Sequence, residues 1–233
     1  GALGWGYNTE IFASKGFKEP VCWADLLAPE LKGEIQMANP NSSGTAYTAL
    51  ASLVQIMGED EAYEYMKKLN ENISQYTKSG SAPVKAAARG ETGLGIVFVH
   101  DAVTQTAEGF PVKSITPCEG TGYEIGSMSI VKGARNLENA QKWYDWALTA
   151  EVQSRMKEAK SFQLPSNKNA AIPEEAPRFE DIKLIDYDFV PTSAGGPCAM
   201  CSPFPPTRRC STRRCKSSRP ARQPTSTSAS RRK

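Results

Sequence analysis

Two short polar turns carry the residues of this sequence that are best suited to holding an anion. Residues 42–45 read Ser-Ser-Gly-Thr and residues 79–81 read Ser-Gly-Ser, each between a strand-like segment and a predicted helix start. The first amides of a helix have no intrahelical acceptor, the helix dipole is positive there, and glycine lets the backbone approach a ligand. Ordinary N-capping accounts for either turn alone. Two such turns together favour an anion site, with the candidates Ser43, Gly44, Thr45, Ser79 and Ser81.

A second set of polar side chains follows a predicted buried strand. His100 is the one histidine of the chain, and Asp101 comes directly after it. A single histidine is often structural, but ligands of open α/β sheets bind beyond the carboxyl ends of strands. Glu124 lies in a glycine-containing loop over residues 119–124 of the same half. These three residues are therefore further candidates for ligand contact.

No catalytic constellation accompanies these candidates. On a strand His100 and Asp101 would point to opposite faces, which makes them poor partners in a serine hydrolase relay. Ser154 and Lys157 match the S-x-x-K pattern without the motifs that accompany it in enzymes. The first 190 residues contain no phosphate-binding P-loop, no dinucleotide fingerprint and no metal-ligand spacing. The sequence thus predicts a binding protein with no catalytic residue, no metal and no cofactor.

The last 43 residues differ in composition from the rest. Residues 191–233 hold ten of the 28 lysines and arginines and none of the 25 acidic residues, so the preceding part is mildly acidic. Rich in Pro, Ser and Thr, the segment cannot build a core. We expect a disordered, non-native basic tail; the alternatives are a nucleic-acid-binding arm and a zinc site. The zinc site would use Cys198, Cys201, Cys210 and Cys215.

Strand-like and helical patterns alternate along the first 160 residues. This alternation predicts an open, mostly parallel α/β sheet. No stretch reaches the 18 or so apolar residues of a membrane span. The start, Gly-Ala-Leu-Gly-Trp, resembles an interior strand and not a signal peptide. Predicted strands cover 3–7, 34–38, 73–76, 94–99, 112–116 and 126–131; predicted helices cover 9–14, 46–57, 59–70, 83–89, 136–148 and 151–159, with a short helix and turn over 23–33.

Three segments, residues 23–33, 37–48 and 76–91, resemble the substrate-binding proteins of bacterial ABC importers. They are similar to the type II group of receptors for iron(III), hexose phosphates or aminoethylphosphonate. The resemblance extends over residues 1–190, including 119–124 and 164–167, and does not include the tail. It implies an α/β type II periplasmic-binding-protein fold with two lobes of mostly parallel sheets, the first lobe incomplete.

The resemblance also implies a division of the chain. Residues 1–119 correspond mostly to the second, C-terminal lobe with a hinge strand. Residues 120–160 correspond to the returning part of the first lobe, and 161–190 to a C-terminal closing segment. The export signal and the first part of the N-terminal lobe are expected to be missing. The implied location is the periplasm, or the outer surface of a Gram-positive cell with a membrane anchor.

Ligand choice follows from a few matching positions. Iron-binding relatives place two adjacent tyrosines where this chain reads 98–101 as Phe-Val-His-Asp, so the resemblance favours the hexose-phosphate branch. There, the serine turns would hold phosphate, and His100, Asp101 and Glu124 would contact sugar hydroxyls. Ferric iron and 2-aminoethylphosphonate remain alternative ligands. The expected partners are a small anionic solute and an inner-membrane ABC permease, with the protein a monomer that binds no nucleic acid.

Overall fold

Five short strands pair into one mixed sheet in the computed structural model, which describes residues 1–189. The strand order is β3-β2-β4-β1-β5. Strand β2 is parallel to β3 and β4, whereas β1 is antiparallel to both β4 and β5, so four of the five strands run in one direction. The predicted α/β class with a mostly parallel sheet is confirmed. The strands are β1 (Leu3–Asn8), β2 (Ile35–Ala38), β3 (Ile73–Thr77), β4 (Leu94–Phe98) and β5 (Val112–Ile115).

Helices follow most strands, as the periodicity predicts. Helix α2 is capped at its start by Ser43 and ends at Gly58, whose φ of 87° is unfavourable for other residues. No helix within residues 1–189 is long and apolar enough to cross a membrane. The α-helices are α1 (Thr9–Lys15), α2 (Gly44–Met57), α3 (Glu59–Asn72), α4 (Ala82–Ala88), α5 (Val99–Ala107), α6 (Leu137–Ala147) and α7 (Ala150–Ser154); short 3-10 helices cover Trp23–Leu27, Pro29–Leu31, Met156–Ala159 and Phe179–Asp181.

Aromatic side chains fill the core beside the central strand β1. The ring of Trp23 contacts Trp5 edge-on at a centroid distance of 5.2 Å and Tyr65 at 6.4 Å. Their polar atoms are satisfied, since Trp5 Nε1 donates to the Pro20 carbonyl and the Tyr65 hydroxyl donates to the Trp23 carbonyl. Edge-to-face packing with paired polar atoms stabilises a buried aromatic cluster. This cluster joins the sheet to α3 and to the 3-10 helix Trp23–Leu27.

The start of α4 lies directly on strand β4. A β-carbon built on Gly95 would lie only 2.5 Å from the Pro83 carbonyl carbon and 2.6 Å from the Val84 nitrogen. Only glycine therefore allows the helix backbone to approach the strand so closely. The contact fixes the start of α4, and with it the end of the preceding 79–81 turn, against the sheet.

Three sequence expectations about elements are wrong. Residues 126–131 do not form a strand, because they pair with no strand of the described residues. Strand β4 ends at Phe98, one residue before its predicted end, and His100 and Asp101 lie in the first turn of α5, so the expectation that they point to opposite faces of a strand does not apply. The helix predicted over 151–159 is interrupted at Arg155, where ψ is 1°, and divides into α7 and a 3-10 helix. The expectations for residues 191–233 lie outside the described residues.

Cys22 and Cys118 form a disulfide between residues 96 apart in the sequence, a pairing that the sequence left open. Beside it, the Glu119 carboxylate accepts hydrogen bonds from the amides of Trp23 (2.8 Å) and Ala24 (3.1 Å) and so caps the 3-10 helix. The segment that follows Glu119 pairs with residues 183–185 through the backbone of Thr121. Covalent and hydrogen bonds therefore fix the chain where it leaves the sheet.

Candidate functional site

Three neighbouring parallel strands deliver the candidate residues to one edge of the sheet. The 42–45 turn follows β2, the 79–81 turn follows β3, and His100 and Asp101 follow β4. Because β2 lies between β3 and β4 and is parallel to both, the three carboxyl ends meet. The start of the reversed strand β1 lies at the same edge, since Leu3 pairs with Phe98.

The 42–45 turn presents backbone amides at the start of α2. Ser43 is the N-cap, and its Oγ accepts a hydrogen bond of 3.5 Å from the Ala46 amide. The amides of Ser42 and Ser43 both donate to the Asn39 carbonyl. Within residues 1–189, no hydrogen bond uses the amides of Gly44 or Thr45. These two donors, with the positive end of a 14-residue helix behind them, are suited to an anion.

The 79–81 turn has a different geometry from the one that the sequence predicts. Ser81 precedes α4 with φ −91° and ψ −7°, a helical conformation in which its side chain caps no amide. Instead the Ser79 carbonyl closes the turn, because it accepts hydrogen bonds from the Ala82 amide and the Thr77 hydroxyl. Since α4 has only seven residues, this turn offers hydroxyls more than a helix dipole.

The two serine turns touch each other. The Ser42 hydroxyl is within hydrogen-bond distance of the Lys78 carbonyl (3.2 Å). A β-carbon built on Gly80 would lie 2.2 Å from Thr45 Oγ1 and 3.1 Å from Ser43 Oγ. The turns thus form one continuous polar surface, as expected of a joint anion site, although the sequence did not show that they touch at Gly80.

His100 lies in the first turn of α5 with most of its ring buried. Burial lowers the pKa of this histidine from 6.5 to about 4, so the ring is neutral at pH 7. The ring stacks on Phe98 at a centroid distance of 5.6 Å, and Nε2 lies 3.9 Å from Asp101 Oδ1. Its Nδ1 is buried and has no hydrogen-bond partner in the part of the chain described. Helical geometry thus brings together two side chains that a strand would have separated.

Asp101 is partly buried beside His100, with 27% of its side chain exposed. Burial raises the pKa of this carboxyl, and the positive charge of Lys85 on α4 opposes that shift. Lys85 was not among the site residues predicted from the sequence. Its position one turn after Ser81 on a predicted helix was the available signal.

Glu124 links the two groups of candidates. Its Oε2 lies 3.9 Å from the position of a β-carbon built on Gly44. Its amide donates to the Gly1 carbonyl at 2.9 Å, and a β-carbon on Gly1 would lie 2.8 Å from His100 Nδ1. Gly1, which precedes β1, therefore lies between Glu124 and His100. Sequence reasoning missed Gly1 because only the antiparallel pairing of β1 with β4 brings it here.

Two other features of the described residues are a group of metal-ligand side chains and a groove that adjoins the candidate site at Glu124. Cys22, Cys118 and Glu119 are grouped closely enough to share a metal ion, but both sulfurs are in the disulfide. A groove of about 850 Å³ lies between residues 123–128, helices α6 and α7, and residues 163–166. Glu124 lines it, but neither serine turn nor Asp101 does. The anion-suited surface is thus an open edge and not part of this groove.

Residues 1–192 match the family described as bacterial extracellular solute-binding protein. An uncharacterized protein of Haemophilus influenzae is 50% identical over 194 residues, which are 81% of this chain and 55% of that protein.

Among solved structures, the periplasmic binding protein AfuA from Actinobacillus pleuropneumoniae, with exogenous fructose-6-phosphate bound, matches with a TM-score of 0.78 and 49% identity. The periplasmic binding protein P5PA matches with a TM-score of 0.76 and 43% identity. Each match covers 82% of this chain and 61% of the other. The chain therefore spans between about half and three fifths of the length of these three relatives.

Proposed function

This chain belongs to the bacterial extracellular solute-binding protein family, and on that premise we propose that it captures a hexose phosphate for delivery to an ABC permease. The observation that carries the proposal is the meeting of three strand ends at one edge, which gathers both serine turns with His100 and Asp101. The bound fructose-6-phosphate of the 49% identical AfuA supports the same class of ligand.

The phosphate would lie on the serine turns. Gly44 and Thr45 supply amides, Ser43 and Thr45 supply hydroxyls beside them, and Ser79 and Ser81 supply hydroxyls from the adjoining turn. Amides at the start of a helix are effective phosphate ligands because they donate along the positive end of its dipole. A phosphate monoester has enough acceptor oxygens to use donors from both turns.

The sugar would lie beyond the phosphate, towards α5. An ionised Asp101 and Glu124 are hydrogen-bond acceptors, and a neutral His100 can accept or donate, so all three suit the hydroxyls of a hexose. His100 and Asp101 are largely shielded from water. Hydrogen bonds from a ligand to such groups contribute more to specificity than bonds to exposed ones.

We extend the proposal to the organisation of the chain. Residues 1–119 would be mostly the second lobe with a hinge strand and 120–160 the returning part of the first, with 161–190 as a C-terminal closing segment. No residue of α6 is buried, and the side chains of Trp143 and Trp146 are 58% and 55% exposed. An amphipathic helix with an uncovered apolar face is explained if the remaining part of a first lobe packs against it.

The location and partners follow from the same proposal. The named relatives AfuA and P5PA are periplasmic binding proteins. We place this protein in the periplasm as a monomer that presents its ligand to the permease.

Isothermal titration tests the ligand. The chain, joined to the portion of AfuA that it does not match, should bind glucose 6-phosphate and fructose 6-phosphate. Asp101→Ala should raise the Kd for both sugar phosphates about 10- to 100-fold, because a hydrogen bond to a charged group contributes about 1.5–3 kcal/mol. Asp60→Ala, which removes an exposed carboxylate from the first turn of α3, is the matched control and should bind normally.

Other outcomes of the titration would select other ligands. Binding of 2-aminoethylphosphonate alone, or a coloured ferric complex, would replace the hexose phosphate in this proposal. Absence of heat with every phosphorylated solute would refute it. A steeply salt-dependent association with nucleic acid that depends on residues 191–233 would point to the tail instead.

A further inference from the structure

Gly80 is the point at which the two serine turns make their closest contact. It is half-buried at the tip of the 79–81 turn. A β-carbon at this position would lie 2.2 Å from Thr45 Oγ1, 2.8 Å from Thr45 Cβ and 3.1 Å from Ser43 Oγ. All three distances are shorter than ordinary van der Waals contact, so a side chain does not fit here unless the start of α2 or the turn itself shifts.

The reason for glycine at this position is the contact and not the backbone conformation. Gly80 is not among the glycines of the described residues that have a positive φ. Its backbone would therefore accept alanine. Thr45 cannot simply rotate out of the way, because its Cβ is fixed by the helix and does not move with the rotamer.

Hydrogen bonds hold the strand ends beneath this contact. The Asn39 amide donates to the Thr77 carbonyl at 2.7 Å, the Thr77 hydroxyl donates to the Ser79 carbonyl at 2.9 Å, and the Ser42 hydroxyl is 3.2 Å from the Lys78 carbonyl. These bonds align the bases of the two turns. The separation of their tips, where the proposed anion donors lie, depends on the contact between Gly80 and Thr45.

We propose that Gly80 is a positioning residue that sets the separation of the two turns, so that donors from both reach a single phosphate. The inference rests on the proposed function. Hydrogen bonds from amides and hydroxyls require donor-to-acceptor distances of about 2.7–3.2 Å. A β-carbon at position 80 forces the turns apart and places one set of donors beyond that range, while the rest of the fold is retained.

Nuclear magnetic resonance with inorganic phosphate tests the inference on the 233-residue chain. Phosphate should shift the amide signals of Gly44 and Thr45 in the wild-type chain. Gly80→Ala should raise the phosphate Kd about tenfold or more, the effect of losing one charge-assisted hydrogen bond. In the ligand-free variant, the amide signals of Gly44 and Thr45 should already differ in chemical shift from those of the ligand-free wild-type chain. A loss of stability alone would not shift these signals.

Gly126→Ala is the matched control, because a β-carbon there has no atom within 4 Å and Gly126 has no positive φ. It should leave the phosphate Kd within about twofold, as surface substitutions do. A second measurement does not need the variant to fold. The ligand-free wild-type chain should show a nuclear Overhauser contact between the Gly80 α-protons and the Thr45 side chain.

Three results separate the two proposals. If the wild-type chain does not bind phosphate and its chimera with AfuA does not bind a sugar phosphate, the proposed function fails. If it binds phosphate and Gly80→Ala binds equally well, only the role of Gly80 is overturned. The same conclusion follows if the Overhauser contact is absent until phosphate is added, since the turns would then not be held together beforehand.

Discussion

The buried His100 ring links the candidate site to the stability of the fold. Burial lowers its pKa from 6.5 to about 4, so between these values the unfolded chain binds a proton that the folded chain does not. Stability therefore falls as pH decreases through this range. We expect His100→Gln, which keeps a neutral polar side chain, to lose less stability than the wild-type chain between pH 6.5 and pH 4.

Urea unfolding of both chains at several pH values measures this difference. Carboxyl groups also titrate in acid, among them Glu19, whose pKa is lowered by its hydrogen bond with Lys113. Because both chains share these groups, subtraction of the two stability curves isolates the histidine. Parallel curves between pH 6.5 and pH 4 would contradict a buried neutral ring.

At the scale of elements, the strands and helices that carry the candidate residues could be predicted, and their contacts could not. The 3.6-residue period and the Ser43 cap located α2 to within two residues of its true start. Strand β4 was recognised as a continuous apolar run, but its predicted end at residue 99 lies one residue too late, because α5 already begins at Val99. Where a strand passes into a helix without a polar capping residue, nothing local marks the boundary.

The failure at residues 126–131 has a different cause. The segment has a strand-like pattern, but a strand requires a partner to which its backbone groups can bond. Among the described residues, no strand pairs with 126–131. The contact of Gly80 with Thr45 and the position of Gly1 also depend on which strands pair, information that a single sequence does not contain.

Helix α2 also anchors the last part of the described chain through one amide side chain. Gln55 Nε2 donates to the Asp188 carbonyl at 3.0 Å, and the Asp188 amide donates to Gln55 Oε1 at 2.8 Å. We expect Gln55→Ala to lower the free energy of unfolding by about 1–2 kcal/mol, the effect of losing two neutral hydrogen bonds. Amide hydrogen exchange over residues 184–188 should accelerate.

Gln141→Ala is the control for this change. Gln141 is exposed on α6, so the substitution gives the same small gain in helix propensity without breaking the paired hydrogen bonds. If the amide hydrogens of residues 184–188 exchange at the same rate in both variants, the hydrogen bonds of Gln55 do not stabilise this segment.

At the scale of the whole molecule, the disulfide joins the segment that follows β1 and α1 to the segment that follows β5. Cys22 precedes the 3-10 helix, and Cys118 lies where the chain leaves β5, next to the Glu119 carboxylate that caps the same helix. A bond across 96 residues removes many conformations from the unfolded chain. We expect the free energy of unfolding to fall by about 2–5 kcal/mol when both cysteines are replaced by serine.

The comparison requires a background without competing thiols, because the chain has four further cysteines after residue 190. With those four replaced by serine, a reductant should lower the denaturant midpoint of the parent chain to that of Cys22→Ser/Cys118→Ser. The double variant itself should not respond to reductant. An oxidising compartment such as the periplasm maintains bonds of this kind. In the proposed location the chain would therefore be in its oxidised form, which we expect to be the more stable one. Equal denaturant midpoints of the parent chain with and without reductant would refute this expectation.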